Sequence, residues 1–183
     1  MKVIIDTSSW IAVVRYYLPF DQNGIISDFF KNKLNTKELV IIDKVFDECF
    51  YISKGIVIKE LDFINLKKEH NKTDTLIPSK KFYNLLENQF CIQVQKRKLT
   101  DVQFENEKEN YLKSADARII LQAIKYQKED KENVIVVTEE TSNNNDSKLF
   151  IKIPNISSIL GINCITLPKL IDTYNSEITI EIK

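Results

Sequence analysis

Lys2-Val3-Ile4-Ile5-Asp6-Thr7-Ser8-Ser9-Trp10-Ile11-Ala12-Val13-Val14 changes its period partway along. Lys2 to Ile5 is a short apolar run with strand character. Asp6 stops it, and Thr7, Ser8 and Ser9 supply helix-cap residues before Trp10, Ile11, Val13 and Val14. The unit reads as strand, tight turn, helix, and it recurs downstream. Leu39 to Ile42 is a second apolar segment, followed by Asp43 as a cap for a helix carrying Val45, Phe46, Cys49, Phe50 and Ile52. Val134 to Val137 is a β-branched run of the buried-strand kind. Ser114 opens the helix before it, running to about Lys128. Pro154 and Asn155 precede a short helical stretch to Leu160 that Gly161 can end, and Cys164 to Thr166 reads as another strand. Strands separated by helices predict an α/β domain with a central, largely parallel sheet.

Between these pairs, Ile25, Ile26, Phe29, Phe30 and Leu34 recur at helical spacing. Lys54 to about Leu112 is rich in Lys, Glu and Asn with apolar residues at helical intervals. It reads as a mostly helical insertion, with Pro78 and Ser79 separating two helices and Thr100 or Asp101 capping a third. Glu139 to Lys148 is polar and predicts a loop. The alternation of Ile178, Ile180 and Ile182 predicts a final strand. A chain of 183 residues is the size of one domain, and 1–183 is read as one core.

Composition narrows the function. Hydrophobic residues make up 43% and charged residues 28%, the profile of a folding chain. Lys plus Arg and Asp plus Glu both count 26, so any nucleic-acid surface must be local. No apolar run approaches the roughly 18 residues of a membrane span. Met1 and Lys2 lead straight into the first strand, and the expected location is cytoplasmic. Cys49, Cys91 and Cys164 are too few and too scattered for a disulfide framework or a zinc site, and are read as reduced core residues. His70, the only histidine, lies in a polar stretch and is read as a solvated surface residue rather than a general base. Gly24, Gly55 and Gly161 are isolated, so no phosphate-cradling loop is present.

Carboxylates remain. Asp6 ends a strand, where open α/β sheets bind ligands, and a helix-cap role explains it equally well. Asp116 falls on the helix face of Ala115, Ile119, Ile120, Ala123 and Ile124, so its charge needs a helix N-terminus or a cation. On the wheel, Glu48 flanks the apolar face of Val45, Cys49 and Ile52 while Asp47 points away. Glu139 and Glu140 follow the Val134 to Val137 strand through Thr138, and Asp146 lies in the same loop. Converging carboxylates demand a hard cation, Mg2+ or Mn2+.

Ile5-Asp6-Thr7-Ser8, Val45-Phe46-Asp47-Glu48, Ala115-Asp116-Ala117 and Val136-Val137-Thr138-Glu139-Glu140 resemble, in this order, the acidic landmarks of PIN domains. The resemblance implies a three-layer α/β/α fold and a metal-dependent endoribonuclease like the VapC-type toxins of bacterial toxin–antitoxin pairs. It maps metal ligation onto Asp6, Glu48 and Asp116. The fourth position usually carries Asp and here is Glu140, with Asp146 as a substitute, which leaves one-metal chemistry or reduced activity open. The long segment between Glu48 and Asp116, together with Lys152-Ile153-Pro154-Asn155, is similar to a variant bacterial branch with added helices. RNA is the implied substrate, and an antitoxin and a second copy of the chain are implied partners. Ser8 and Thr138 are hydrogen-bonding candidates for a water or phosphate, or simply cap and strand-end residues. Lys80-Lys81 and Lys96-Arg97-Lys98 are the local basic clusters for RNA. The rival is a module of the same fold that binds RNA or a protein without cutting. A phosphotransferase using Asp6 as nucleophile is disfavoured by Ser8, which stands where a second Asp would be expected.

Overall fold

The computed structural model describes residues 1–143 and 148–178. Five strands form one parallel sheet in the order β3-β2-β1-β4-β5: β1 Lys2–Ile5, β2 Leu39–Ile42, β3 His70–Asn71, β4 Val134–Val137 and β5 Asn163–Ile165. β1 is central. Val3 pairs with Leu39 on one side, and Ile5 with Val137 on the other. Every residue of β2 and β4 is buried, which is why both read as unbroken apolar runs.

The helices are α1 Thr7–Ala12, α2 Ile25–Asn35, α3 Asp43–Tyr51, α4 Ile56–Glu60, α5 Lys80–Asn88, α6 Gln93–Lys96, α7 Asp101–Lys113, α8 Ala115–Lys128, α9 Ile153–Leu160 and α10 Leu167–Thr173. They flank the sheet as a three-layer α/β/α arrangement. α2 packs on β2, and α8 lies across β1, β2 and β4. Trp10 of α1 is 1% exposed and meets Phe30 and Phe63 edge-on at 5.2 and 6.2 Å.

The chain leaves β1 toward β2 and β3, then returns to place β4 on the opposite side of β1. The connections therefore diverge between the carboxyl ends of β1 and β4, the switch point at which open α/β sheets form their ligand crevice.

Several local expectations change. α1 starts at Thr7, with Asp6 rather than a hydroxyl residue as its N-cap. Asp43 is the first residue of α3 and not its cap: its Oδ1 accepts from Thr73 Oγ1 at 2.6 Å and its Oδ2 from Thr73 N at 3.1 Å. Residues 54–112 are mostly helical, but they also hold the edge strand β3, too short and polar to show a strand period. Phe82, Leu86, Phe90, Phe104 and Leu112 of this segment share one hydrophobic cluster with the strands. His70 is only partly solvated. It is half-buried in β3, its Nε2 lies 2.7 Å from the Ile64 carbonyl, and its ring lies 4.3 Å from that of Phe46.

Ser79, Thr100 and Ser114 cap α5, α7 and α8, and Gly161, at φ 67°, ends α9. α10 is an additional helix after β5. Of the expected final strand, Glu177 sits in a turn and residues 179–183 lie outside the described residues. Cys49, Cys91 and Cys164 are free thiols, the first two buried and the third half-buried.

Candidate active site

At the end of β1, Asp6 is 5% exposed and its backbone N–H donates to the Val137 carbonyl at 2.9 Å, fixing it beside the end of β4. The helix-cap role is the one observed directly. Oδ1 accepts from Thr7 N at 2.7 Å as the helix cap, while Oδ2 accepts from Ser8 Oγ at 2.7 Å and Thr138 Oγ1 at 3.0 Å. Thr138 is buried at the end of β4, and its hydroxyl in turn accepts from Glu140 N at 3.1 Å. Ser8 Oγ accepts from Glu139 N at 3.1 Å. Ser8 and Thr138 thus couple the two strand ends and hold Asp6 in orientation.

Glu48 enters from α3. Its Oε2 accepts from Thr7 Oγ1 at 2.7 Å, and the Ala115 backbone N–H at the start of α8 also donates to it. Burial raises its carboxyl above the usual range, Asp6 and Glu140 raise it further, and the Thr7 and Ala115 donors oppose the rise. Asp47 is exposed and pairs with Lys44 at 3.3 Å, as the wheel predicts. Asp116 occupies the first turn of α8. Burial, then the charges of Asp6, Glu140 and Glu48, push its carboxyl up to about 7, with Lys148 opposing. No donor among the described residues hydrogen-bonds it.

Glu140, beyond β4, completes the set, tied down on both oxygens. Oε2 accepts from Ile153 N at 3.2 Å, and Oε1 lies 3.7 Å from Lys148 Nζ. Glu139 turns elsewhere, accepting from Leu167 N at 2.7 Å. Asp146 lies outside the described residues. Among the described residues no three His, Cys, Asp or Glu side chains form a ready-made metal-ligating group. Glu48 and Asp116 feel the charges of Asp6 and Glu140.

Two concavities open beside these acids. One, of about 300 Å3, is lined by Asp116, Tyr111, Phe150, Lys148 and Lys152 among others. The other, of about 570 Å3, is lined by Ser8, Ile11, Ala12, Arg15, Tyr16, Tyr17 and Glu139. Lys80-Lys81 and Lys96-Arg97-Lys98 sit on α5 and at the end of α6 and line neither. The cations lining these concavities are Lys148 and Lys152 in the one and Arg15 in the other, each isolated in sequence and so without a cluster signal. In sequence Thr7 offers only a possible cap. Its bond to Glu48 crosses between elements that no local pattern pairs. Cys49, under Glu48, has its thiol pushed up to about 12 by burial and then by Glu48 and Asp6, which keeps it an inert core residue.

Among the described residues no helix is long and apolar enough to cross a membrane. No curated protein and no solved structure matches the chain. The family described as Domain of unknown function (DUF4411) matches residues 3–178, from β1 through Ile178 and including all four acids, and the chain belongs to that family.

Proposed function

We propose that the chain is a PIN-like, Mg2+- or Mn2+-dependent endoribonuclease whose site is the acidic cluster at the β1/β4 switch point. One observation carries the reading: the fold gathers Asp6, Glu48, Asp116 and Glu140 from four separate segments, close enough that the charges of Asp6 and Glu140 raise the carboxyls of Glu48 and Asp116. Uncompensated, such a cluster costs stability, and an all-oxygen donor set suits a hard divalent cation. Asp6, Glu48 and Asp116 would hold it. Bound there, it supplies Lewis-acid stabilisation of a phosphodiester and a more acidic water.

The protein's own part is positioning. Thr7 orients Glu48, Ser8 and Thr138 orient Asp6, and the Ala115 N–H at the start of α8 places Glu48 beside Asp116. Lys148 and Lys152 line the concavity that contains Asp116, where an RNA phosphate would approach.

Glu140 supports a one-metal variant, because its oxygens are engaged by Ile153 N and Lys148. The same engagement favours the rival reading, a non-cutting module that binds RNA or a protein such as an antitoxin. Cleavage of a mixed RNA pool by wild type, Asp6→Asn and Asp116→Asn, each with Mn2+, Mg2+ or excess chelator, separates the two. Metal-dependent cutting that both variants lose is the expected result. Folded wild type that cuts under no condition would hand the site to the module.

A further inference from the structure

The larger concavity is not needed to explain the acids, yet it adjoins them through Ser8, whose hydroxyl bonds Asp6 at 2.7 Å, and through Glu139. Its volume of about 570 Å3 falls within the roughly 300–1,000 Å3 of small-molecule sites. One wall is Arg15, Tyr16 and Tyr17, carried on the single π-helical turn Val13–Tyr17 that continues α1. Such turns recur at functional sites because they re-aim side chains out of the helical register. Tyr16 is 66% exposed, an aromatic ring left facing water beside a charged cleft. Arg15 is steadied by a hydrogen bond from Nη2 to Ser53 Oγ at 2.9 Å. Ser53 lies in a left-handed turn with Lys54 and Gly55 (φ 52°, 59° and 69°), where a Cβ on Gly55 would come within 3.1 Å of the Phe50 carbonyl oxygen.

We propose that this cleft seats an unpaired nucleobase of single-stranded RNA, stacked on Tyr16 with Arg15 against its phosphate or base edge, next to the phosphodiester presented to the acids. An aromatic face with a neighbouring guanidinium is the combination by which proteins hold splayed-out bases, and base stacking tolerates any sequence. A duplex would keep its bases stacked on one another and away from the ring. The inference rests on the RNA reading of the acidic site, so its test reads binding apart from cleavage.

The experiment is fluorescence anisotropy in excess chelator, with a labelled unstructured RNA and a labelled RNA hairpin stem, on wild type, Tyr16→Ala, Tyr16→Trp and Asp116→Asn. Tyr16→Ala is expected to weaken single-strand binding by about tenfold or more while hairpin binding stays unchanged, with Tyr16→Trp restoring the wild-type value. Because Tyr16 is exposed, the variant keeps the fold. Equal affinity of wild type and Tyr16→Ala, an equal loss on both RNAs, or no RNA binding by wild type would each overturn the proposal. Metal-dependent cleavage is then followed separately with the same proteins. Cutting by wild type with an unchanged KM in Tyr16→Ala removes the subsite and leaves the nuclease standing. Tyr16-dependent binding without any cutting removes the nuclease and leaves the subsite.

Discussion

Replacing Asp116 by Asn should stabilise the metal-free protein, and do so only where the carboxyl would otherwise be ionised. Burial and the charges of Asp6, Glu140 and Glu48 lift the folded-state carboxyl from 3.8 to about 7. The folded state therefore binds the proton more tightly than the unfolded chain. That favours folding at low pH, and the advantage is lost as pH rises from about 4 to about 7. Above that window the folded protein carries the full penalty of the ionised carboxylate.

At about 1.4 kcal/mol per pH unit the shift sets a ceiling of about 4 kcal/mol. Residual exposure of Asp116, screening by salt and the nearby Lys148 reduce the expected gain of Asp116→Asn to about 1–3 kcal/mol at pH 8. Urea unfolding of wild type and Asp116→Asn in chelator, at pH values from 4.5 to 8, measures this as a stability difference that grows with pH and levels off near neutrality. Added Mn2+ should narrow the difference by stabilising wild type alone. A difference that stays constant across the whole range would refute the electrostatic account of the cluster.

Thr138→Val removes the hydroxyl that donates to Asp6 and accepts from Glu140 N, so Mn2+ affinity by calorimetry should fall about 10- to 100-fold while the fold persists; unchanged affinity would show that Asp6 needs no such orientation. Trp10→Ala empties a site bounded by Phe30 and Phe63 and should cost about 3–5 kcal/mol in denaturant unfolding, with a loss below about 1 kcal/mol counting against Trp10 as a central packing residue. Thr100→Ala breaks the reciprocal capping box with Gln103 at the start of α7 and should cost about 1 kcal/mol in thermal or urea unfolding without changing metal affinity.

Most of what local chemistry controls was legible along the chain. The buried strands β1, β2 and β4 announce themselves because a parallel strand covered on both faces must be apolar throughout, and Ser79, Thr100 and Ser114 mark helix starts because hydroxyls satisfy orphan N–H groups. The same logic separated Glu48 from Asp47 and turned Asp116 inward, since a helix wheel depends only on spacing. β3 stayed hidden because His70 and Asn71 form a strand only by pairing with Ile41 and Ile42. The partial burial of His70 is hidden for the same reason, its polar neighbours in sequence not being its neighbours in space.

What the tertiary structure decided is the company each carboxylate keeps. Sequence spacing leaves Asp6 divided between cap and ligand, and the fold gives one oxygen to the cap and holds the other with Ser8 and Thr138 by pairing β1 with β4. It also sets Thr7 against Glu48 and brings Lys148 and Lys152 to Asp116. Those contacts join residues far apart along the chain, and their energies depend on burial and distance across elements, which no local pattern encodes.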